Sequence, residues 1–230
     1  MESLQITNAH IVTLDDKYSC FESGNVYIEG ERIVDVGEFL PDRYQPDRTI
    51  DAGGRLVMPG LINAHHHLYS TFARGFAPPG EPAHNFEQIL SRLWWKLDRA
   101  LDEQDVYYSS LLVLMEAARA GCTTIIDHHA SPSCADGSLD HVERAFRDVG
   151  LSGCLCYEVS DRNRRGEGIE ENERYIRQCL DRDYGRMTAM FGVHASMTLD
   201  DGTLERCADI GRALDAGFHV HAAEDMADVR

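Results

Sequence analysis

Pro59-Gly60-Leu61-Ile62-Asn63-Ala64-His65-His66-His67-Leu68 is a short apolar run that opens onto two histidines separated by one residue. His65 and His67 are imidazoles at strand spacing, and neutral imidazole is a favoured ligand of zinc and iron. They are expected to meet on one ion where the strand ends and the backbone turns. The stretch therefore predicts a strand with a metal site at its C-terminal end. Far downstream, Phe218-His219-Val220-His221-Ala222-Ala223-Glu224 has the same form. His221 offers a third ligand just past a strand, and Glu224 offers an acid/base that can reach the same pocket.

Between these two pieces the chain alternates β and α. Strands are expected at 61–65, 122–128, 153–159, 187–194 and 218–222. Helical spacing runs over 86–99, 103–120, 139–149, 167–182 and 203–216, with Gly121, Gly150 and Gly217 as stops. Near-continuous apolar strands between amphipathic helices indicate a parallel sheet covered by helices. Histidines stand at the ends of four of these strands: His65 and His67, His128 and His129, His194, and His219 and His221. In a (β/α)8 barrel that end carries the active site. Residues before 58 read as β instead. A strand is expected over 4–14, a hairpin over 25–36 turning at Gly30, a loop over 40–49, and a turn and strand over 50–60.

The formal net charge is −17, from 39 acidic against 22 basic residues, which excludes nucleic acid and anionic membrane surfaces as main partners. The longest apolar stretch, 111–115, is far short of a membrane span. Seven cysteines are scattered without a C-x-x-C, which fits a reducing cytosol and a cytoplasmic protein. Cys154 and Cys156 read as small strand residues on opposite faces. The N-terminus has neither a basic region nor an apolar one, so it does not read as a signal peptide.

His194 is placed to donate a hydrogen bond to substrate, and Arg74, in the loop after the first barrel strand, could meet an anionic or carbonyl group. His66 is expected to point away from the ion. Trp94 and Trp95 read as packing residues, of which at most one can face a pocket. The run 162–165 reads as a solvated loop.

Three segments are similar to the amidohydrolase superfamily, in the branch of cytosine and guanine deaminases, chlorohydrolases and S-adenosylhomocysteine deaminases. They are Pro59 through Leu68, Ala118-Arg119-Ala120-Gly121-Cys122-Thr123-Thr124, and His221-Ala222-Ala223-Glu224. Asn63 through Gly75, with Leu93-Trp94-Trp95-Lys96-Leu97-Asp98, resembles the SsnA-type aminohydrolases within it. The resemblance implies an α/β fold: a (β/α)8, TIM-type metal-dependent hydrolase barrel beside a small β-sandwich. Here 1–57 would be the N-terminal part of the sandwich, and 58–230 the first five β/α units of an incomplete barrel. It implies one divalent ion, zinc in the first place and iron as the alternative, held by His65, His67 and His221. Glu224 would be the proton shuttle and His194 a substrate contact.

The resemblance further implies hydrolysis of a non-peptide C–N bond by metal-activated water, with deamination of a purine-, pterin- or pyrimidine-like small molecule as the expected activity. The alternatives are a chlorohydrolase using the same nucleophile, and an inactive, truncated metal-binding or interaction module. The family's histidine after the sixth strand and aspartate after the eighth are not reached. A homo-oligomer, or a complementing C-terminal half, is the expected macromolecular partner.

Overall fold

A computed structural model describes residues 2–77, 79–182 and 185–226. The chain divides into two compact units, Met1–Gly60 and Leu61–Arg230.

The first unit is one twisted sheet. β1 (Ser3–Val12), β2 (Cys20–Glu29) and β3 (Arg32–Gly37) form an antiparallel meander; β4 (Arg48–Asp51) and β5 (Leu56–Val57) pair with β1 in parallel. The β2–β3 turn rests on Gly30 at φ 58°, a backbone state that costs glycine nothing. Ala9, Ile11, Val26 and Ala52 are its buried core. The expected loop over 40–49 is shorter than predicted, because Arg48 and Thr49 join β4, where Leu4 and Gln5 supply the backbone partners.

The second unit carries β6 (Leu61–His66), β7 (Cys122–His129), β8 (Ser152–Tyr157) and β9 (Met187–Ala189) as one parallel sheet in chain order. The expected fourth strand breaks at Met190. Its second part, β10 (Phe191–Ala195), pairs in parallel with β11 (Phe218–His221). The break still leaves one continuous succession, since a parallel bridge joins Val159, just past β8, to Val193. α3 (Glu103–Arg119), α4 (Ser138–Val149), α5 (Ile169–Leu180) and α6 (Asp201–Ala213) fall between the strands. Each presents an apolar face, and Leu114, Leu139, Phe146 and Tyr175 pack with Ile125 and Leu155 of the sheet.

Ahead of α3 the helical stretch over 86–99 is interrupted. α1 (Phe86–Ile89) passes into a π turn at Leu90–Trp94, closed by the Trp95 N–H on the Leu90 carbonyl, before α2 (Trp95–Ala100). α6 ends earlier than expected. The left-handed residue is Asp215 at φ 51°, not Gly217, and the Ala216 N–H donates to the Gly211 carbonyl at 2.9 Å in a Schellman closure. Among the described residues no helix is long and apolar enough to cross a membrane. Leu61 and Ile62 of β6, and Phe218 and Val220 of β11, are exposed, whereas every residue of β10 is buried.

The approach of β10 to β8 has no room for a side chain at Gly192, where a Cβ would run into the Tyr157 carbonyl oxygen. Gly192→Ala is therefore expected to destabilise the fold by about 1–3 kcal/mol. That lowers Tm by roughly 2–4 °C for each kcal/mol. Gly185→Ala, where a Cβ meets open space, should leave Tm unchanged; calorimetry on the two variants checks the contrast.

Candidate metal centre

β6 and β11 bring the two histidine motifs together across a sequence separation of 154 residues. The ring centroids of His65 and His67 lie 4.8 Å apart, those of His67 and His221 5.1 Å, and those of His65 and His221 5.0 Å. One ligand nitrogen from each falls within 4.8 Å of the others. The strand ends and the backbone turns where the sequence reading expected: β6 stops at His66, His67 at φ −123° and ψ 88° leaves the strand, and a 3-10 turn follows over Leu68–Ala73.

Hydrogen bonds fix which nitrogen faces inward. His67 Nδ1 donates to the His128 carbonyl at 2.7 Å, and His221 Nδ1 to the His194 carbonyl at 2.9 Å. A carbonyl only accepts, so in each neutral ring Nε2 carries a bare lone pair. These two Nε2 atoms face each other at 3.0 Å. Two lone pairs at that distance repel unless a positive charge sits between them. Nitrogens bound to one tetrahedral zinc at about 2.0–2.1 Å lie about 3.3 Å apart, close to this arrangement. The donor set therefore fits a divalent ion.

His65 Nδ1 meets His219 Nε2 at 2.8 Å, an arrangement in which a donating His65 keeps Nε2 for the ion. Burial, then the neighbouring His221 and His65, push His67 down to about 3. Burial also lowers His65, with His221 and His219 adding to it. Rings so disposed are neutral near pH 7, the state that binds metal.

The strand between the two motifs locks this geometry. Asp127 of β7 is fully buried, and its Oδ1 accepts the Leu68 N–H at 2.7 Å, pinning the chain just past His67. Burial pushes the Asp127 carboxyl up to about 7, against the pull of the Leu68 hydrogen bond. The next residue, His128, supplies the carbonyl that orients His67.

A cavity of about 370 Å³ opens onto the centre, lined by the three imidazoles, Tyr69, Phe86, Glu158, His194 and Glu224 among others. The chain reverses at Ala223, φ 57°, and Glu224 follows directly. His194 is buried at the end of β10, with Nδ1 2.6 Å from Thr198 Oγ1. His66 also lines the cavity but is outside the three-imidazole group.

Three sequence expectations, one for the tryptophans and two for arginines, are corrected here. Trp94 and Trp95 both line the cavity, because the π turn rotates the register between them. Arg162 is not solvated: its side chain is 9% exposed, and it donates to Asp98 Oδ2 at 3.0 Å and to Glu158 Oε1 at 2.5 Å. Arg74 does not reach the cavity either. It makes a two-pronged pair with Glu116 of α3 at 3.0 and 2.6 Å on the surface, which occupies the guanidinium expected to meet substrate. Cys154 is half-buried and Cys156 fully buried; both are free thiols.

The sequence reading missed Glu158, Asp98, Asp127 and Arg162. Glu158 could have been found, as the one acid in the apolar run 153–159. A charge in a buried strand end is a functional signal. Burial pushes Glu158 up to about 8, with Arg162 opposing.

Parallel strands with clustered imidazoles at their C-terminal ends define a barrel-type fold with a candidate metal centre. The sequence pattern of the amidohydrolase family matches residues 56–230, and the chain belongs to that family. It is 30% identical over 230 residues to a 5-methylthioadenosine/S-adenosylhomocysteine deaminase of Thermoanaerobacter pseudethanolicus, covering 99% of this chain and 51% of that protein. A triazine hydrolase from Arthrobacter aurescens superposes with TM-score 0.82 at 24% identity, over 98% of this chain and 54% of that one. An adenosine deaminase from Xanthomonas campestris, solved with bound zinc, superposes with TM-score 0.81 at 24% identity, over 98% of this chain and 51% of that one. The chain thus spans about half the length of the curated relatives it matches, and it carries the amidohydrolase fold, an incomplete (β/α)8 barrel, over that span.

If His219 holds the tautomer of His65, His219→Ala should weaken zinc binding about 10–100-fold, as loss of an outer partner does. His10→Ala, at an exposed position of β1, should leave it unchanged. Competition against a chromophoric chelator measures both; equal affinities would remove His219 from the centre.

Proposed function

We propose that this chain carries the metal centre of a hydrolase that deaminates a planar amino-heterocycle. The facing Nε2 atoms of His67 and His221, 3.0 Å apart with both lone pairs inward, carry the reading. His65, His67 and His221 would hold the ion, zinc first and iron second. A divalent ion held there supplies Lewis acidity, lowering the pKa of water enough to provide a nucleophile near pH 7.

The chain's own residues have the remaining tasks. Glu224 takes a proton from the attacking water and returns it to the ring nitrogen. It then moves the second proton to the departing amine, so that water and the amino compound become a carbonyl compound and ammonia. His194 orients the ring by a hydrogen bond from the buried end of β10. Tyr69, Phe86, Trp94 and Trp95 give the flat apolar walls that a heterocycle needs and exclude bulk water. The deaminase named above, at 30% identity, supports the choice of leaving group.

Further groups are expected to complete the site, since the relatives are twice this length. The exposed apolar residues of β6 and β11 would pack against the segment or second chain that brings them. Seven free thiols support a reducing, cytoplasmic setting.

Glu224→Gln should cut ammonia release about 10²–10⁴-fold while zinc content stays at one per chain. An enzyme-coupled ammonia assay over purines, pterins and pyrimidines, with metal analysis alongside, tests this. Unchanged turnover would reject Glu224 as the proton carrier, and chloride in place of ammonia as product would reject deamination.

A further inference from the structure

The cavity holds a buried charge cluster that proton transfer by Glu224 does not use. Glu158 follows β8, and its side chain is 3% exposed although it lines the cavity. Its Oε1 accepts from Arg162 Nη2 at 2.5 Å, while Arg162 Nη1 donates to Asp98 Oδ2 at 3.0 Å. Arg162 Nε reaches Ser160 Oγ at 3.2 Å, and the guanidinium lies 5.1 Å over the Trp95 ring. One rigidly held cation therefore serves two buried carboxylates.

Glu158 Oε2 has no hydrogen bond among the described residues. His128 Nδ1, at 3.8 Å, is beyond hydrogen-bond reach of it. Glu158 lines the cavity, and a ligand that brings a donor to Oε2 favours the ionised carboxylate that burial disfavours.

We propose that Glu158, fixed by Arg162 and Asp98, is a specificity-determining residue that accepts an N–H hydrogen bond from the edge of the heterocycle. The inference rests on the deamination reading only for the presence of a planar ring in this cavity. A ring bearing a lactam-type N–H satisfies Oε2. A ring offering only acceptors on that edge leaves Oε2 unpaired and is rejected, as sites built around a buried polar group reject ligands that lack its partner. An anionic substituent directed here would meet two carboxylates sharing one guanidinium, and would be repelled.

Trp94 and Trp95 are the two tryptophans of the chain, and both line the cavity, so their fluorescence reports its occupancy. The zinc-loaded chain is titrated with guanine and with 1-methylguanine, in which a methyl group replaces the ring N–H. Guanine is expected to quench saturably, and 1-methylguanine to bind at least about tenfold more weakly, the size of a lost hydrogen bond to a charged group. Glu158→Gln should shrink that gap and Glu158→Asp should restore part of it. Equal affinities in the unmodified chain, or no quenching by guanine, overturn the assignment whatever the variants do. An unshrunken gap in a folded Glu158→Gln chain overturns it as well. Zinc is measured on the same samples. Absence of zinc from the unmodified chain contradicts the metal centre, while ligand discrimination without zinc still supports Glu158.

Discussion

Two imidazole nitrogens that cannot both be protonated face each other at 3.0 Å, and the rest of the second unit is arranged to keep them there. His67 and His221 come from strands far apart in sequence, and each is turned by a carbonyl at the end of a different strand. β7 supplies the His128 carbonyl, and β10 supplies the His194 carbonyl. Four strand ends therefore specify the direction of two lone pairs. Two bare acceptors at this separation are unfavourable without a cation, and the fold alone orients both rings, so a cation bound between them would find its donors already turned inward.

The strand ends, with α2 beside them, carry acidic groups that a core would ordinarily reject. Asp127, Glu158 and Asp98 are all enclosed, and each has a named task or partner: the Leu68 N–H for Asp127, and the shared Arg162 for the other two. Removing one partner from such a group costs more than the pair contributes, because the remaining charge stays buried. The apolar surroundings come from α3, α4 and α5, whose buried faces pack on the sheet and keep water from its outer side. Burial raises the carboxyls of Glu158 and Asp127 and lowers the imidazoles of His67 and His128. One desolvated environment thus favours neutral ligands and makes every remaining polar contact in the cavity more selective.

The parts of this arrangement legible in sequence were those written in local patterns. His65 and His67 stand at strand spacing after an apolar run. His221 and Glu224 sit three apart after another, and strand–helix alternation separates them. What was illegible depends on closure between distant residues. Arg162 lies in a charged run that looks solvated, and only its pairing with Asp98, 64 positions earlier, buries it. Trp94 and Trp95 appear unable to share a face at helical period. A hydrogen bond spanning five residues, from Trp95 to Leu90, changes that period, and no side-chain pattern announces it. Arg74 was misread for the same reason in reverse, since Glu116 on α3 claims it. The break at Met190 is likewise tertiary. β9 pairs with β8 up to that point, and beyond it β10 pairs with β11 while Val193 still bridges Val159, just past β8.

X-ray absorption at the zinc edge of the metal-loaded chain tests the central claim most directly. The account predicts one zinc per chain with an inner shell of nitrogen and oxygen, including the outer-shell scattering characteristic of about three imidazoles at roughly 2.0–2.1 Å. A sulfur shell near 2.3 Å, or a spectrum without imidazole scattering, would contradict it.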